Sequence, residues 1–484
     1  MTTITIGPFN RVEGDLEVHL DIADGMVRSA RVNSPLYRGF EQIMQGREPL
    51  DALVIAPRIC GICSVSQSMA AARALADAAG TGMPPNGELA AALTLACENL
   101  ADHISHFYLF FMPDFARAVY AGEAWFPLAE PRFRALTGSA PRAAIQARAG
   151  LLHLMGTLAG KWPHSLSLQP GGSTRPVQAR ERLRLLAILA DFRGFLERQT
   201  FGDRLEVVAA LDSAAALAAW REAASPASSD LRLFLHIAEA LDLARLGRGP
   251  DRFMSFGGLS VGGGPLFRAG LWSQGPAPLD TAAIVEDLSH SWMQGATLHP
   301  DRGVTVPGIE PAAHKPAAYS WCKAPRLDGR PVEVGALARQ LVDGQPLIRE
   351  LVVASGGNVR NRVVARLLES ARLVIAMEDW VRALRPGKPF CTAVRLPDEG
   401  AGAGLVEAAR GSLGHWLSIR HGRILNYQIV APTTWNFSPR DAAGCAGPLE
   451  QALVGTVVRP REATPVAVQH VVRSFDPCMV CTVH

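Results

Sequence analysis

The chain has 484 residues, of which 48% are hydrophobic and 19% charged, and its formal net charge is +3 at pH 7. This composition is typical of a large globular core, and the nearly neutral charge gives no indication of nucleic-acid binding, which requires clustered Lys and Arg. Eight cysteines in so long a chain do not describe a disulfide scaffold, and no uncharged apolar run reaches the roughly 18 residues of a membrane span.

The first predicted element is a small antiparallel sheet over residues 2–33. Apolar and polar residues alternate there in TITI, LEVHLDI and MVRSARV, and Asp24-Gly25 is a hairpin turn signal. From Asp51 the hydrophobic pattern becomes helical. Helices are predicted at DALVIAPRIC, SQSMAAARALADAA and ELAAALTLACENLADHISHFYLFF, and again at 178–198, 206–224 and 230–246.

Three stretches rich in Gly and Pro, at 247–264, 275–279 and 397–404, are predicted to be loops. The predicted fold class is mainly α with peripheral β (α+β), with a compact helical-bundle core. We expect one domain over residues 1–484, with an N-terminal β-hairpin region at 1–35 and a helical body with small sheets at 36–484. In this fold the two ends of the chain meet at a buried metal site.

Two pairs of cysteines carry most of the chemical information. They are Cys60 and Cys63 in RICGIC, and Cys478 and Cys481 in DPCMVCTVH. A C-x-x-C places two thiolates within reach of one soft metal. Because 414 residues separate the pairs, a four-sulfur site forms only when the whole chain has folded, whereas the pairs of a zinc ribbon lie about 15–20 residues apart. The isolated cysteines are predicted to be small buried hydrophobes: Cys97, Cys322, Cys391 and Cys445.

Around the cysteines, the chain resembles the large subunit of nickel–iron hydrogenases over nearly its whole length. The resemblance lies in ten segments in the same order: RVEG at 11–14, YRGFE at 37–41, RICGIC at 58–63, ADHISHFY at 101–108, KWPHS…PGG at 161–172, KAPR at 323–326, EVGALAR at 333–339, EAARGSLGHW at 407–416, NYQIVAPTTWN at 426–436 and DPCMVCTVH at 476–484. One C-x-x-C is weak evidence, but ten ordered segments are specific to the family.

This resemblance implies a Ni-Fe(CN)2(CO) centre. Cys60 and Cys478 would be terminal nickel ligands, and Cys63 and Cys481 would bridge nickel and iron. Soft thiolates suit both metals. The resemblance also implies a Mg²⁺ ion held by two further residues, Glu41 and His484. Iron–sulfur clusters are expected in a partner subunit, since this chain has too few clustered cysteines to hold them.

The same resemblance assigns the surroundings of the metals. Buried cyanides need hydrogen-bond donors, and Arg410 and Thr433, the latter following Pro432, match the residues that supply them. Arg410 would form a polar canopy above the metals with Asp102 and Asp476.

Heterolytic cleavage of H2 releases a proton that needs a base. The resemblance implies that the Cys478 thiolate is the first base and that Glu13, in RVEG, is the carboxylate that relays the proton. A carboxylate suits this role because burial can raise its pKa towards neutrality.

Three features resemble the regulatory, hydrogen-sensing subgroup of the family. Gln67 stands where catalytic uptake enzymes commonly have His, and an amide holds hydrogen bonds but does not shuttle protons near pH 7. The sequence stops at His484, either because a tail has been processed or because the gene encodes none. Ile62 and Phe110 match gas-tunnel positions where many members have Val and Leu, and bulkier side chains narrow the path of oxygen.

The leading hypothesis is therefore the large subunit of an H2-sensing [NiFe]-hydrogenase of low turnover. It would pass electrons to an iron–sulfur small subunit, in a heterodimer or a dimer of heterodimers, and signal through a sensor histidine kinase. The runner-up is an energy-conserving uptake hydrogenase, and a third hypothesis is a zinc-stabilised scaffold of a larger oxidoreductase. The start MTTITIGPFNRVEG lacks a basic and apolar leader, which predicts a cytoplasmic protein.

Overall fold

A computed structural model describes residues 2–262, 264–308, 315–459, 462 and 464–482. Its first element is the predicted N-terminal sheet. The strands β1 (Thr2–Ile6), β2 (Glu17–Ala23) and β3 (Met26–Asn33) pair antiparallel in that order. Asp24 and Gly25 both have positive φ, as a two-residue hairpin turn requires. The prediction for residues 2–33 is confirmed.

Helices form most of the body, as the hydrophobic periodicity predicts. The α-helices are α1 (Phe40–Met44), α2 (Ala52–Ile55), α3 (Ser64–Ala78), α4 (Pro85–Ser105), α5 (Phe126–Phe133), α6 (Ser139–Ala159), α7 (Ala179–Phe195), α8 (Leu205–Ala209), α9 (Ala214–Glu222), α10 (Asp230–Ala240), α11 (Ala336–Asp343), α12 (Pro346–Ser355), α13 (Val359–Ala383), α14 (Pro432–Asn436), α15 (Pro448–Leu453) and α16 (Val466–Ser474). Helix α4 continues into a π-helical turn at His106–Phe111. Among the described residues, none of the helices combines the length and the apolar composition needed to cross a bilayer.

The remaining strands form small antiparallel sheets. They are β4 (Leu168–Gln169), β5 (Gly172–Ser173), β6 (Arg252–Val261), β7 (Gly264–Ser273), β8 (Pro276–Ala277), β9 (Ile284–Asp287), β10 (Met293–Gln294), β11 (Val306–Pro307), β12 (Ala324–Leu327), β13 (Gly400–Ala408), β14 (Gly411–Arg420) and β15 (Arg423–Val430). The sheet β13–β14–β15 lies against α3, and β14 is buried along nearly its whole length. The fold is thus mixed, with a large helical body and small sheets, as predicted.

The predicted helix at 206–224 is wrong as one element, since α8 ends at Ala209 and α9 begins at Ala214. Ser213 separates them, because its side chain accepts a hydrogen bond from the backbone N–H of Ala216 and caps the second helix. A serine favours this capping role over a helix interior.

Two of the predicted loops are largely strands. Residues 247–264 contain β6, whose Phe253 and Met254 are buried, and a glycine with positive φ, Gly257, interrupts its pairing with β7. Residues 397–404 begin β13. Its glycines are needed for close contact with α3, because a Cβ on Gly404 would lie 1.8 Å from the carbonyl oxygen of Ala70. The stretch 275–279 holds only the two-residue strand β8.

The two ends of the described chain meet beside the cysteines. Glu13 forms a parallel β-bridge with Cys478. The Glu13 N–H donates to Pro477 O at 3.3 Å, and the Met479 N–H donates to Glu13 O at 2.7 Å. The RVEG segment is therefore fixed directly against the second C-x-x-C.

Candidate metal centre

The four cysteines of the two C-x-x-C motifs converge as predicted. Their sulfur atoms lie within 4.8 Å of one another. Cys60 Sγ is 3.4 Å from Cys478 Sγ, and Cys63 Sγ is 3.3 Å from Cys481 Sγ. Cys63 is half-buried and the other three are buried. Hydrogen bonds from the neighbouring thiols lower the pKa of Cys60 well below its usual value, while they raise the pKa of Cys63. Four sulfurs this close could share a soft metal ion, whose positive charge favours their thiolate forms.

Arg38 joins the two cysteine segments, and the sequence reasoning did not single it out. Its Nη1 donates to Ile59 O at 2.5 Å and to Val480 O at 3.3 Å, and its Nη2 donates to Arg58 O at 3.2 Å. One guanidinium therefore fixes the loop before Cys60 to the loop that contains Val480. Its position in the YRGFE segment at 37–41 was the sequence feature that could have identified it.

Arg410, Asp102 and Asp476 lie together, as the resemblance implies. Arg410 Nε donates to Asp476 O at 2.9 Å, its Nη2 donates to Asp476 Oδ1 at 3.1 Å, and the same Nη2 is 2.9 Å from Asp102 Oδ1. Arg366, which was not singled out, donates to Asp476 Oδ2 at 3.0 Å. Burial raises the pKa of Asp102 to about 8, whereas Arg410 and Arg366 outweigh burial and lower the pKa of Asp476.

Thr433 and Pro432 lie in the first turn of α14, directly behind Cys478. The backbone N–H of Cys478 donates to Thr433 Oγ1 at 3.2 Å, so the Thr433 hydroxyl hydrogen is left to donate elsewhere. Both residues are buried.

Glu13 is half-buried beside the sulfur atoms. Burial and then the negative charge of Cys60 raise the pKa of Glu13, while Arg410 and Arg38 oppose the shift. The carboxyl group has therefore the raised pKa that a proton relay needs.

Gln67 lies one helical turn after Cys63, whose carbonyl oxygen accepts its N–H at 3.1 Å. The Gln67 side chain is buried and bonded to His415, with 2.7 Å between Oε1 and Nε2. Ile62 and Phe110 are both half-buried, and Phe110 belongs to the π-helical turn. Their place along a gas path stays a prediction.

Glu41 is a buried ion-pair partner in the structure. Its carboxylate accepts hydrogen bonds from Lys323 Nζ, Thr305 Oγ1 and Ile429 N, each at 2.9 Å. Lys323, which was not singled out, also pairs with Glu286 at 2.9 Å. His484 lies outside the described residues, so the predicted pairing of Glu41 and His484 around Mg²⁺ stays a prediction.

The isolated cysteines divide into two groups. Cys97 and Cys322 are buried, as predicted, but Cys391 and Cys445 are exposed, which contradicts the prediction. The two exposed residues lie in connecting segments, where the chain runs along the surface.

Comparison with known proteins identifies the class of protein that this fold and site define. The family model described as nickel-dependent hydrogenase matches residues 38–126 and 142–484. The periplasmic [NiFeSe] hydrogenase large subunit of Desulfomicrobium baculatum is 30% identical over 99% of this chain and 94% of its own length. The Hydrogenase-2 large chain of Escherichia coli K12 is 28% identical over 99% and 97%.

A solved structure gives the same result. The oxidised Ni-Fe-Se hydrogenase of D. vulgaris Hildenborough superposes with a TM-score of 0.85 at 28% identity, covering 100% of both chains. The chain belongs to the nickel-dependent hydrogenase family. It is an oxidoreductase of the type that oxidises H2, and its four clustered sulfurs are close enough to hold a metal ion. Membership of this family disfavours the zinc-scaffold hypothesis.

Proposed function

We propose that this chain is the active-site large subunit of a hydrogenase that binds and slowly oxidises H2 as a signal. The observation that carries the proposal is the four-sulfur cluster near Arg410, with Glu13 bridged to Cys478. The proposed cofactor is Ni-Fe(CN)2(CO), which Cys60, Cys63, Cys478 and Cys481 would hold through their sulfurs.

The residues around the sulfurs fit such a group. The hydrogen bonds of Arg410 among the described residues use Nε and Nη2, which leaves its Nη1 hydrogens for another acceptor. Within the described part of the chain, the Thr433 hydroxyl acts as an acceptor, so its hydrogen is available to donate. Cyanide nitrogens are anionic acceptors, and a dry pocket that holds them must provide donors of this kind.

When bound, the nickel–iron centre supplies the heterolytic cleavage of H2. The chain's own residues manage the proton. Cys478 and Glu13 are joined by a backbone bridge; the Cys478 sulfur would accept the proton, and the raised pKa of Glu13 would allow its carboxylate to take the proton on. Arg410 and Asp476 hold fixed charges beside the site, which costs no reorganisation during the reaction, and Asp102 lies against the same guanidinium.

Gln67 supports the sensory role, because its amide cannot exchange protons near pH 7 as an imidazole does. The second candidate is an energy-conserving uptake hydrogenase, and it is favoured by relatives named as uptake hydrogenase large subunits in Rubrivivax gelatinosus and Rhodobacter capsulatus, at 27% identity each. Either function requires an iron–sulfur small subunit for the electrons. The sensory function also requires a partner that reads the signal, for which we propose a sensor histidine kinase. We propose that this chain is cytoplasmic.

The decisive experiment purifies the chain with its co-expressed small subunit and measures metals, infrared bands and turnover. Nickel and iron near one each, with cyanide and carbonyl stretches, support the centre, while zinc without nickel contradicts it. A turnover number below about 1 s⁻¹, under the usual range of roughly 1–10³ s⁻¹, supports sensing. Rapid turnover coupled to growth on H2 supports uptake instead. Magnesium in the same sample, lost from Glu41→Gln, tests the proposed Mg²⁺ site.

A further inference from the structure

Three buried side chains form a hydrogen-bonded series that runs from the last sheet to the helix behind Cys63. The Tyr427 hydroxyl lies 2.8 Å from His415 Nδ1, and His415 Nε2 lies 2.7 Å from Gln67 Oε1. Tyr427 is on β15 and His415 on the adjacent β14, where Leu417 pairs with Tyr427, so the two side chains are diagonal neighbours on one face. All three side chains are fully shielded from water.

The Tyr427 hydroxyl determines which atom donates in each of these hydrogen bonds. Among the described residues, His415 Nδ1 is the acceptor that the Tyr427 O–H reaches. If Tyr427 donates, Nδ1 is unprotonated and the neutral ring carries its proton on Nε2, which then donates to Gln67 Oε1. Burial lowers the pKa of His415 to about 3, so the ring is neutral. The opposite direction would leave the Tyr427 O–H buried without an acceptor, which is costly.

The NH2 group of the Gln67 amide is left as a buried donor on the helix that follows Cys63. Gln67 Nε2 is buried and has no hydrogen-bond partner in the part of the chain that the structure describes. Gln67 follows Cys63 by one turn of α3, and residues four apart share a helix face. Thiolate sulfurs and metal-bound cyanides are anionic acceptors, so they stabilise a donating NH2 group and would repel a carbonyl oxygen.

We propose that Gln67 Nε2 donates a hydrogen bond to the anionic ligands of the metal centre, and that His415 and Tyr427 are positioning residues that fix the amide in this orientation. The proposal rests on the proposed nickel–iron centre. It gives Gln67 a constant electrostatic role: a fixed donor withdraws electron density from the thiolates, and it neither gains nor loses a proton with pH.

The test compares Tyr427→Phe and Gln67→Met with the parent holoenzyme by infrared spectroscopy. Gln67→Met keeps the side-chain length and removes the donor. Tyr427→Phe leaves Gln67 intact but removes the group that sets the His415 tautomer. Both variants are expected to move the carbonyl stretch to lower frequency, since more charge on the thiolates increases back-donation from iron. Tyr108→Phe is the matched control, because it removes a buried hydroxyl that bonds to Asp230 and Thr200 instead.

A carbonyl stretch in Tyr427→Phe that equals that of Tyr108→Phe would overturn the proposal. If Tyr427→Phe fails to fold, the parent complex labelled with ¹⁵N-histidine decides the question. The His415 signals, assigned by their loss in His415→Gln, must show a protonated Nε2 and a bare Nδ1. A protonated Nδ1 contradicts the proposal. Absence of cyanide and carbonyl bands from the parent would contradict the proposed function instead, while the histidine tautomer would still test the orientation of Gln67.

Discussion

The carboxylate of Glu98 caps the backbone at Ser66, at the start of the helix that follows Cys63. Its Oε1 accepts hydrogen bonds from the Ser66 N–H and hydroxyl, both at 2.8 Å, and its Oε2 accepts the Val65 N–H at 2.8 Å. Glu98 belongs to α4, so one helix supplies the cap of another. The first N–H groups of a helix lack internal partners and carry partial positive charge, which a buried carboxylate satisfies.

Glu98→Gln should weaken both the fold and the metal site. The amide keeps one acceptor oxygen, but its NH2 group faces a backbone donor, which should cost about 1–3 kcal/mol. We expect a lower thermal midpoint and less nickel per chain. The exposed Glu222→Gln is the control and should change stability by at most about 0.5 kcal/mol. Equal midpoints for the two variants would exclude a capping role.

Gly404→Ala should separate β13 from α3. The new Cβ would lie 1.8 Å from Ala70 O, and backbone atoms on both sides would have to move. We expect a loss of about 3 kcal/mol or more, in the range of severe overpacking, measured by denaturant unfolding. Gly150→Ala in α6 is the contrasting change, since a Cβ there meets nothing within 4 Å. It should stabilise by about 0.5–1 kcal/mol. A neutral Gly404→Ala would show that the contact is loose.

Cys481→Ser should remove iron while the chain still folds. Serine lacks the soft sulfur that would bridge the two metals. Elemental analysis of the purified variant is expected to show little iron, and the cyanide and carbonyl bands should vanish. Cys391→Ser, which changes an exposed isolated cysteine, should keep full metal content. Normal infrared bands in Cys481→Ser would refute the ligand assignment.

The double variant Ile62→Val and Phe110→Leu should become sensitive to oxygen. The two changes remove a methylene group and most of a ring from half-buried side chains, which opens space where neighbours do not collapse. The variant is expected to keep its metals and its H2 activity under argon but to lose activity in air. Residual activity after timed exposure to air is the measurement. If the variant tolerates oxygen as well as the parent does, both residues serve only to pack the core.

Stability below pH 4.5 should depend on Glu369. Burial opposes its ionisation, but Arg339 and His103 lower the pKa of Glu369 to about 2 from its usual 4.5. The ionised group therefore stabilises the fold above pH 4.5, and this contribution is lost as the pH falls from 4.5 towards 2.

The variant Glu369→Gln tests this dependence of stability on pH. It should cost about 3–5 kcal/mol at pH 7, because it leaves Arg339 buried without its main partner. The difference in thermal midpoint from the parent should shrink between pH 5 and pH 3. A difference independent of pH would mean that packing, and not charge, is lost.

The sequence predicted the site where residue chemistry and spacing act together. The two C-x-x-C motifs allowed few arrangements, and the alternation at 2–33 defined a sheet. The prediction of a loop at 397–404 was wrong, because glycines such as Gly404 that permit close packing of a strand against a helix are also typical of loops. Glu98 gave a weaker signal: it precedes Asp102 by four residues on α4, so both carboxylates share a face. Its partners in α3 depend on how the two helices pack, which one sequence does not reveal.

The bridge between Glu13 and Cys478 can form only late in folding, because it joins segments from the two ends of the chain. Closing a loop of this length costs about 3 kcal/mol more entropy than closing one of 15 residues, since each doubling adds about 0.6 kcal/mol. During synthesis, Glu13 leaves the ribosome long before its partner exists. Cys60 and Cys63 are therefore synthesised long before Cys478 and Cys481, so the four sulfurs come together only after nearly the whole chain has been made.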